Sequence, residues 1–470
     1  LAAAVRPCAA DVRLPQIFGN QMVLQRDLPV RVWGTADPGE KVTVTIGKHE
    51  SSATADEQGK WKVELPAVAA GNPVEVKVSG KNTITLHDVL VGEVWVCSGQ
   101  SNMGLTVQGA ADAKKEIAAA THPQIRLFSV PLIPSAKPAD DCDGYWKECT
   151  PESVPSFSAV AYYFGRNLHE QLGVPIGLIN TSWGGTLIEP WTPPVGFQSV
   201  PAVASILTNL EKNPPVVPPT KARKNKKGKK VAGPQLHQTP TYLYNGMIHP
   251  LVPLAIRGAI WYQGESNLSD GMLYTDKMKA LIQGWRSVWN EGEFPFYYVQ
   301  LAPFTYGKNN PTALPKMWEA QTAALSIPNT GMAVTIDIGE AKDIHPKDKQ
   351  DVGKRLALWA LAKNYGKQIV YSGPLYKSMV ADGSKIRVKF DHVGGGLAAR
   401  DGKALTWFAV AGEDKKFVDA QAKIDGDSIV VSASGVEKPV AVRFAWDQIA
   451  DPNLVNIEGL PASAFRTDRW

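Results

Sequence analysis

The stretch GEVWVCSGQSNMG, Gly92 to Gly104, decides how this chain folds. Its first half holds VWVC, an uninterrupted apolar run with β-branched and aromatic residues, as in a strand buried on both faces. The run stops at a small polar turn, Gly99-Gln100-Ser101-Asn102. Three other runs end the same way. IGLIN is followed by Thr181-Ser182-Trp183-Gly184-Gly185, GAIWY by Gln263-Gly264-Glu265-Ser266-Asn267, and MAVTIDI by Gly339-Glu340 and then KDIHP, Lys342 to Pro346. Between them lie helical patterns. FSAVAYYFGRNLHEQLG spaces Phe164, Leu168 and Leu172 four apart and stops at Gly173, and MKALIQGWRSVW carries Met278, Leu281, Trp285 and Val288 at three-four-three spacing. Strands alternating with helices predict a mostly parallel sheet covered on both faces. Ligands in such sheets bind beyond the carboxyl ends of the strands, so four polar turns are expected to converge on one cleft.

Outward from this α/β region the texture changes twice. From 13 to 91, KVTVTIG, GKWKVELP and PVEVKVSG alternate with period two between turn residues, which predicts a β-sandwich-like domain. From 369 to 470 short strands return in SKIRVKF, DSIVVSASG and AVRFAW. The expected organisation is a signal-peptide remnant over 1–12, rich in small residues, the N-terminal β domain over 13–91, a catalytic α/β domain over 92–368, and a β-rich domain over 369–470. Export, secreted or periplasmic, is the expected location.

The net charge of +5 has a local source. KARKNKKGKK, Lys221 to Lys230, holds seven Lys or Arg and no acid, which leaves the rest of the chain at −2. It lies in a Lys- and Pro-rich insertion over 212–235 without interleaved aromatic residues, so a solvated loop is expected and a nucleic-acid partner is not. No apolar run is long enough to span a bilayer. Four cysteines cannot make a disulfide framework for a chain of 470 residues, although Cys142 and Cys149 could close a small loop in an oxidising compartment. There is no HExxH, paired CxxC, GxxxxGK(S/T) or GxGxxG opening a helix after a strand, so neither a metal nor a cofactor is expected.

The chemistry suggested by the turns is nucleophilic. A serine hydroxyl needs a base to take its proton, and the base needs a group to orient it. Ser101 sits at a strand-to-helix turn, and KDIHP offers Asp343 and His345 on one loop. His249 in NGMIHP is the best rival base, but it precedes the strand GAIWY and falls at the opposite edge of the sheet.

GQSNM, SWGGTLIEPW, WYQGESN and DIHP resemble the sequence blocks of the sialate O-acetylesterase-type carbohydrate esterases, a branch of the SGNH (GDSL-like) hydrolases, and the similarity extends over nearly the whole chain. The resemblance implies an SGNH-like three-layer α/β/α domain flanked by β-sandwich-like regions, acting on acetylated sugars without a cofactor. It implies Ser101 as nucleophile, His345 as base and Asp343 as its acid, with Asp337 and Glu340 as rival acids. The acid precedes the histidine by two residues here, where the wider superfamily has three. The N–H of Ser101, that of Gly184 or Gly185, and the Gln263 amide would form the oxyanion hole. Gln100, Asn102, Trp183, Glu265 and Trp261 are candidate substrate contacts, with Trp191 a further aromatic candidate. An acetyl xylan or other polysaccharide esterase is the alternative within enzymes, and a carbohydrate-binding protein with a vestigial site the alternative outside them.

Overall fold

The computed structural model describes residues 11–215, 235–307 and 310–470. The basic run Lys221–Lys230 and most of the 1–12 segment lie outside the described residues. The central sheet consists of β1 (Thr83–Gly99), β2 (His122–Ser129), β3 (Lys147–Cys149), β4 (Ile176–Asn180), β5 (Gly258–Tyr262), β6 (Phe296–Val299) and β7 (Thr330–Ala333), in the order β7-β6-β5-β1-β4-β2-β3. Its neighbours run parallel except for β2 and β3, which are antiparallel. The fold class is the mixed α/β arrangement expected.

Four helices cover the sheet: α1 (Ala159–Leu172), α2 (Leu273–Trp289), α3 (Ala313–Ala323) and α4 (Lys349–Lys363). Helix α1 starts where Ser158 Oγ accepts the Ala161 N–H at 3.1 Å, and ends at Gly173 with φ 64°. Alternation along β6 assigns the faces. Phe296 meets Trp285 of α2 with ring centroids 5.7 Å apart, while its neighbour Tyr297 meets Trp359 of α4 at 6.3 Å. Helices α1 and α4 therefore share one face, with α2 and α3 on the other.

Strand β1 belongs to two regions at once. Its first part pairs antiparallel with Val74–Ser79 of the N-terminal β region, Leu90–Gly92 pairs parallel with Val23–Gln25, and the last residues join β4 and β5. The boundary expected between residues 91 and 92 thus falls inside a single strand, with no linker. Just past it, Glu93 is completely buried and accepts from Arg26 Nε at 2.5 Å, Arg257 Nε at 2.6 Å and Gln25 Nε2 at 3.1 Å.

At the other end, short strands from Leu375 to Arg466 form small antiparallel sheets. They are fastened to the α/β layer by Gln300 Nε2 donating to Ser463 Oγ at 2.8 Å and by the Arg466–Glu319 ion pair at 3.0 Å. One apolar cluster runs from the N-terminal strands through the central sheet into these C-terminal ones. Cys97, Cys142 and Cys149 are free and buried, so the loop between the last two is not closed by a disulfide. Among the described residues no helix is long and apolar enough to cross a membrane.

Candidate active site

The turn that carries Ser101 begins at a backbone position that tolerates no side chain. Gly99 has φ 140°, and a Cβ there would lie 2.1 Å from the Tyr262 carbonyl oxygen. The close approach lets the Gln100 N–H donate to that oxygen at 2.9 Å, while Gln100 Oε1 accepts from Gly264 N–H at 3.3 Å. With β1 pinned to the end of β5, the chain enters the short helix Ser101–Gly104. Ser101 Oγ then lies 2.8 Å from His345 Nε2.

His345 stands on the loop between β7 and α4. Its backbone N–H donates to Asp343 Oδ1 at 2.9 Å, whereas its ring Nδ1 is 3.8 Å from the same oxygen, beyond hydrogen-bond length. Asp343 thus shapes the loop and supplies charge rather than gripping the ring. The rival acids are engaged elsewhere: Asp337 is held by Arg355 at 2.6 and 2.8 Å, and Glu340 Oε1 accepts the Lys347 N–H at 3.4 Å. His249 is tied through Nδ1 to the Ala139 carbonyl at 2.8 Å, away from Ser101. Burial holds the His345 ring below its ordinary pKa, a pull that Asp343 opposes and that Lys349 and Lys347 reinforce.

Beside the serine, a Cβ on Gly184 would sit 3.3 Å from Ser101 Cβ, so the backbone of the turn after β4 passes directly against Ser101. Trp183 N–H donates to Gly99 O at 3.0 Å and locks the two turns together. The N–H groups of Ser101, Gly184 and Gly185 have no protein acceptor among the described residues.

Several expected site residues are placed differently. Gln263 is fully buried; its Nε2 donates to Thr186 O at 3.0 Å and Asn267 Oδ1 at 2.8 Å, and its Oε1 accepts from Tyr274 at 2.8 Å. Both amide hydrogens are spent within the protein, so the expectation that this amide faces an oxyanion is corrected: it braces the turn. Gln263→Ala is accordingly expected to cost about 1–3 kcal/mol of stability, with turnover per folded molecule changed only a few-fold. Melting curves and kinetics on the same protein check this, and a dominant loss of kcat would return the amide to the oxyanion hole. Trp261 and Trp191 are also corrected as sugar platforms. They are 1% and 0% exposed and pack edge to face at 6.2 Å in the core, with Trp285 against Trp261 at 6.3 Å. Trp183 remains half-buried beside the cleft, stacked on His237 at 5.0 Å and 9°. His237 carried no sequence signal of its own.

Of the expected substrate contacts, Gln100 and Asn102 are buried and bonded within the framework, and Glu265 is half-buried and bonded to it through Oε1. Asn102 is 1% exposed; its Nδ2 donates to Glu265 Oε1 at 2.6 Å and to the Ile344 carbonyl at 2.9 Å, and its Oδ1 accepts from Lys349 Nζ at 2.6 Å. Burial pushes the Glu265 carboxyl up, and its Oε2 has no hydrogen-bond partner among the described residues. Burial brings the Lys349 ammonium down to about 8. Lys349 was missed from sequence, although a lysine spaced with Val352 and Leu356 on the apolar stripe of α4 was a visible signal.

A model of the family described as carbohydrate esterase, sialic acid-specific acetylesterase, matches residues 227–362, the span that carries Asp343 and His345. A sialate O-acetylesterase of Mus musculus is 32% identical to this chain over 95% of its residues and 91% of the relative's. The chain belongs to this family. The esterase is 34% identical to a sialate O-acetylesterase of Homo sapiens over 79% of this chain and 75% of that one. It is also similar to the crystal structure of a carbohydrate acetylesterase from Xanthomonas citri, with 39% identity, a TM-score of 0.87, and coverage of 98% of this chain and 100% of that chain. It is a carboxylic ester hydrolase, and the likeness takes in the β regions at both ends.

Proposed function

We propose that this esterase removes O-acetyl groups from sugar hydroxyls through an acyl-serine intermediate. The observation that carries the reading is the 2.8 Å approach of Ser101 Oγ to His345 Nε2, beside backbone N–H groups that have no acceptor among the described residues. Ser101 Oγ attacks the acetyl carbonyl while His345 takes its proton. Negative charge then develops on the carbonyl oxygen, and the N–H groups of Ser101 and of Gly184 or Gly185 stabilise it. Collapse of the intermediate expels the sugar alkoxide, which receives the proton from His345. Water, deprotonated by the same imidazole, attacks the acetyl-serine and releases acetate. Asp343 stabilises the transient imidazolium by its charge and by fixing the loop. No step calls on a cofactor.

The relatives' names support O-acetylated sugars, sialic acids among them, as the substrate class. Trp183 beside the oxyanion turn offers a face for the leaving sugar. Incubation with acetylated sialic acids, xylo-oligosaccharides and pectic fragments, read by released acetate, tests the proposal. Turnover of an activated acetate ester excludes a vestigial site, and absence of acetate release from every carbohydrate would overturn the reading. A glycan substrate accords with an exported location, secreted or periplasmic, which cell fractionation checks.

The pH dependence follows from the neutral base. Because burial lowers the His345 pKa from 6.5, protonation that removes the base is confined to more acidic solution. kcat/KM should rise with pH through an inflection below 6.5 and be level by neutrality. A pH series with a neutral ester substrate checks the sign, and an inflection above 6.5 contradicts it.

A further inference from the structure

We infer that Lys349 is a positioning residue for the reaction: by holding the Asn102 side chain in one orientation, it clasps the nucleophile turn to the loop that carries the base. The inference rests on the assignment of Ser101 and His345 above. Asn102 directly follows Ser101, and the carbonyl it reaches belongs to Ile344, directly before His345. The two residues that exchange a proton are thus joined through their chain neighbours by one 2.9 Å hydrogen bond.

A carboxamide could occupy the same space in either of two orientations, and only one of them makes this bond. The Ile344 carbonyl is an acceptor, so it requires Nδ2. Lys349 fixes the same choice from the other side, since an ammonium donates and never accepts: at 2.6 Å it must face Oδ1, which turns Nδ2 toward Ile344 O and Glu265 Oε1. In the flipped amide an N–H would oppose the ammonium, and oxygen would oppose two acceptors. Lys349, the only cation contacting Asn102 among the described residues, thus reinforces from the oxygen side the orientation that the two acceptors favour from the nitrogen side.

Lys349 pays in stability for this place. It is 0% exposed at the first turn of α4, where the helix dipole disfavours a cation. The Tyr262 ring lies 5.1 Å from its ammonium, and Glu265, Asp348 and Asp343 are the acids that hold its charge, against Lys347. Glu265 completes the clasp from β5's end by accepting from Asn102 at 2.6 Å. The segment from Asp343 to Lys349 consequently grips Asn102 at two points, Ile344 O and Lys349 Nζ, and carries His345 between them.

The test is Lys349→Met, of similar length and without donor or charge, with Lys349→Gln, which keeps a neutral donor, and Asn102→Ala, which removes the clasp from the other side. A displacement of about 1 Å between reacting groups can cost about 10²-fold. Lys349→Met and Asn102→Ala should each lower kcat by about that factor with KM nearly unchanged, measured on folded protein counted by titration of Ser101 with a fluorophosphonate. The double variant should be no worse than the poorer single one, because both act through one linkage. Lys349→Gln should recover part of the loss. The acid inflection of kcat/KM should also move to higher pH in Lys349→Met: of the charges facing His345, Asp343, Lys347 and Lys349, a positive one has gone. A role confined to stability would lower the melting point and leave kcat and the inflection of the folded fraction in place, and that result overturns the inference. If Lys349→Met does not fold, Asn102→Ala decides: kcat within about threefold of wild type refutes the clasp. Should Ser101→Ala remain active, the assigned reaction fails; should it be inactive while both clasp variants turn over normally, only the clasp fails.

Discussion

Ser101→Ala is expected to lower kcat by about 10⁴-fold or more while leaving the melting temperature almost where it was. The two halves of this expectation have separate causes. In the proposed mechanism Oγ forms the bond to acetyl, and without it His345 Nε2 has no proton to take at 2.8 Å. The fold, by contrast, depends on the backbone of residue 101, whose carbonyl accepts from Leu105 at 2.7 Å and is untouched by the change. Alanine also suits a helical position at least as well as serine. Residual turnover should be independent of fluorophosphonate treatment, because the site of attack is gone. The measurement is steady-state acetate release alongside a thermal melt. Activity within about tenfold of wild type would mean that a different nucleophile does the work.

The second large effect is on stability. Glu93→Ala should destabilise the protein by about 3–5 kcal/mol. The carboxylate is entirely buried, and the guanidinium groups of Arg26 and Arg257 converge on it from chain segments far apart in sequence. Removing it leaves two like charges, 24% and 22% exposed, with only the exposed Asp27, 3.5 Å from Arg26 Nε, as a nearby counter-ion. Gln25 loses an acceptor as well. Glu93→Gln should recover little, since an amide keeps the shape but presents N–H groups to donors. Denaturant titration of both variants provides the check, and a loss under about 1 kcal/mol would show that water replaces the carboxylate at small cost.

Much of the site could be read from the chain because its parts obey local rules. Gly99, Ser101 and Gly184 stand where strands end, and period two or 3.6 told which runs were strands. Four turns at four carboxyl ends then had to share a cleft, and the structure brings Ser101, Gly184 and His345 together there. What could not be read was the partner of each amide. Gln263 and Asn102 both follow strand ends in polar turns, yet one is spent on Thr186 and Asn267 and the other on Ile344, Glu265 and Lys349. Those bonds span up to 247 positions in sequence, and no periodicity encodes them. The aromatic residues divide for a similar reason. Both Trp183 and Trp261 lie close to a polar turn, but Trp261 is still inside the apolar run GAIWY, and its packing against Trp191 and Trp285 places it in the interior.

Strand β1 has a practical consequence for anyone wishing to exchange parts between esterases of this kind. A cut at Gly92 would pass through residues hydrogen-bonded to neighbouring strands, strip Leu90–Gly92 from Val23–Gln25, and separate Arg26 from Glu93. The N-terminal β region is therefore not a cassette that can be removed to leave a smaller catalyst. It is also held in register with the turn that carries Ser101: from Leu90 to Gly99 the strand runs nine steps of about 3.3 Å, or roughly 30 Å. A chimaera that keeps β1 with its own N-terminal strands should inherit that spacing, whereas one joined inside the strand has to rebuild it.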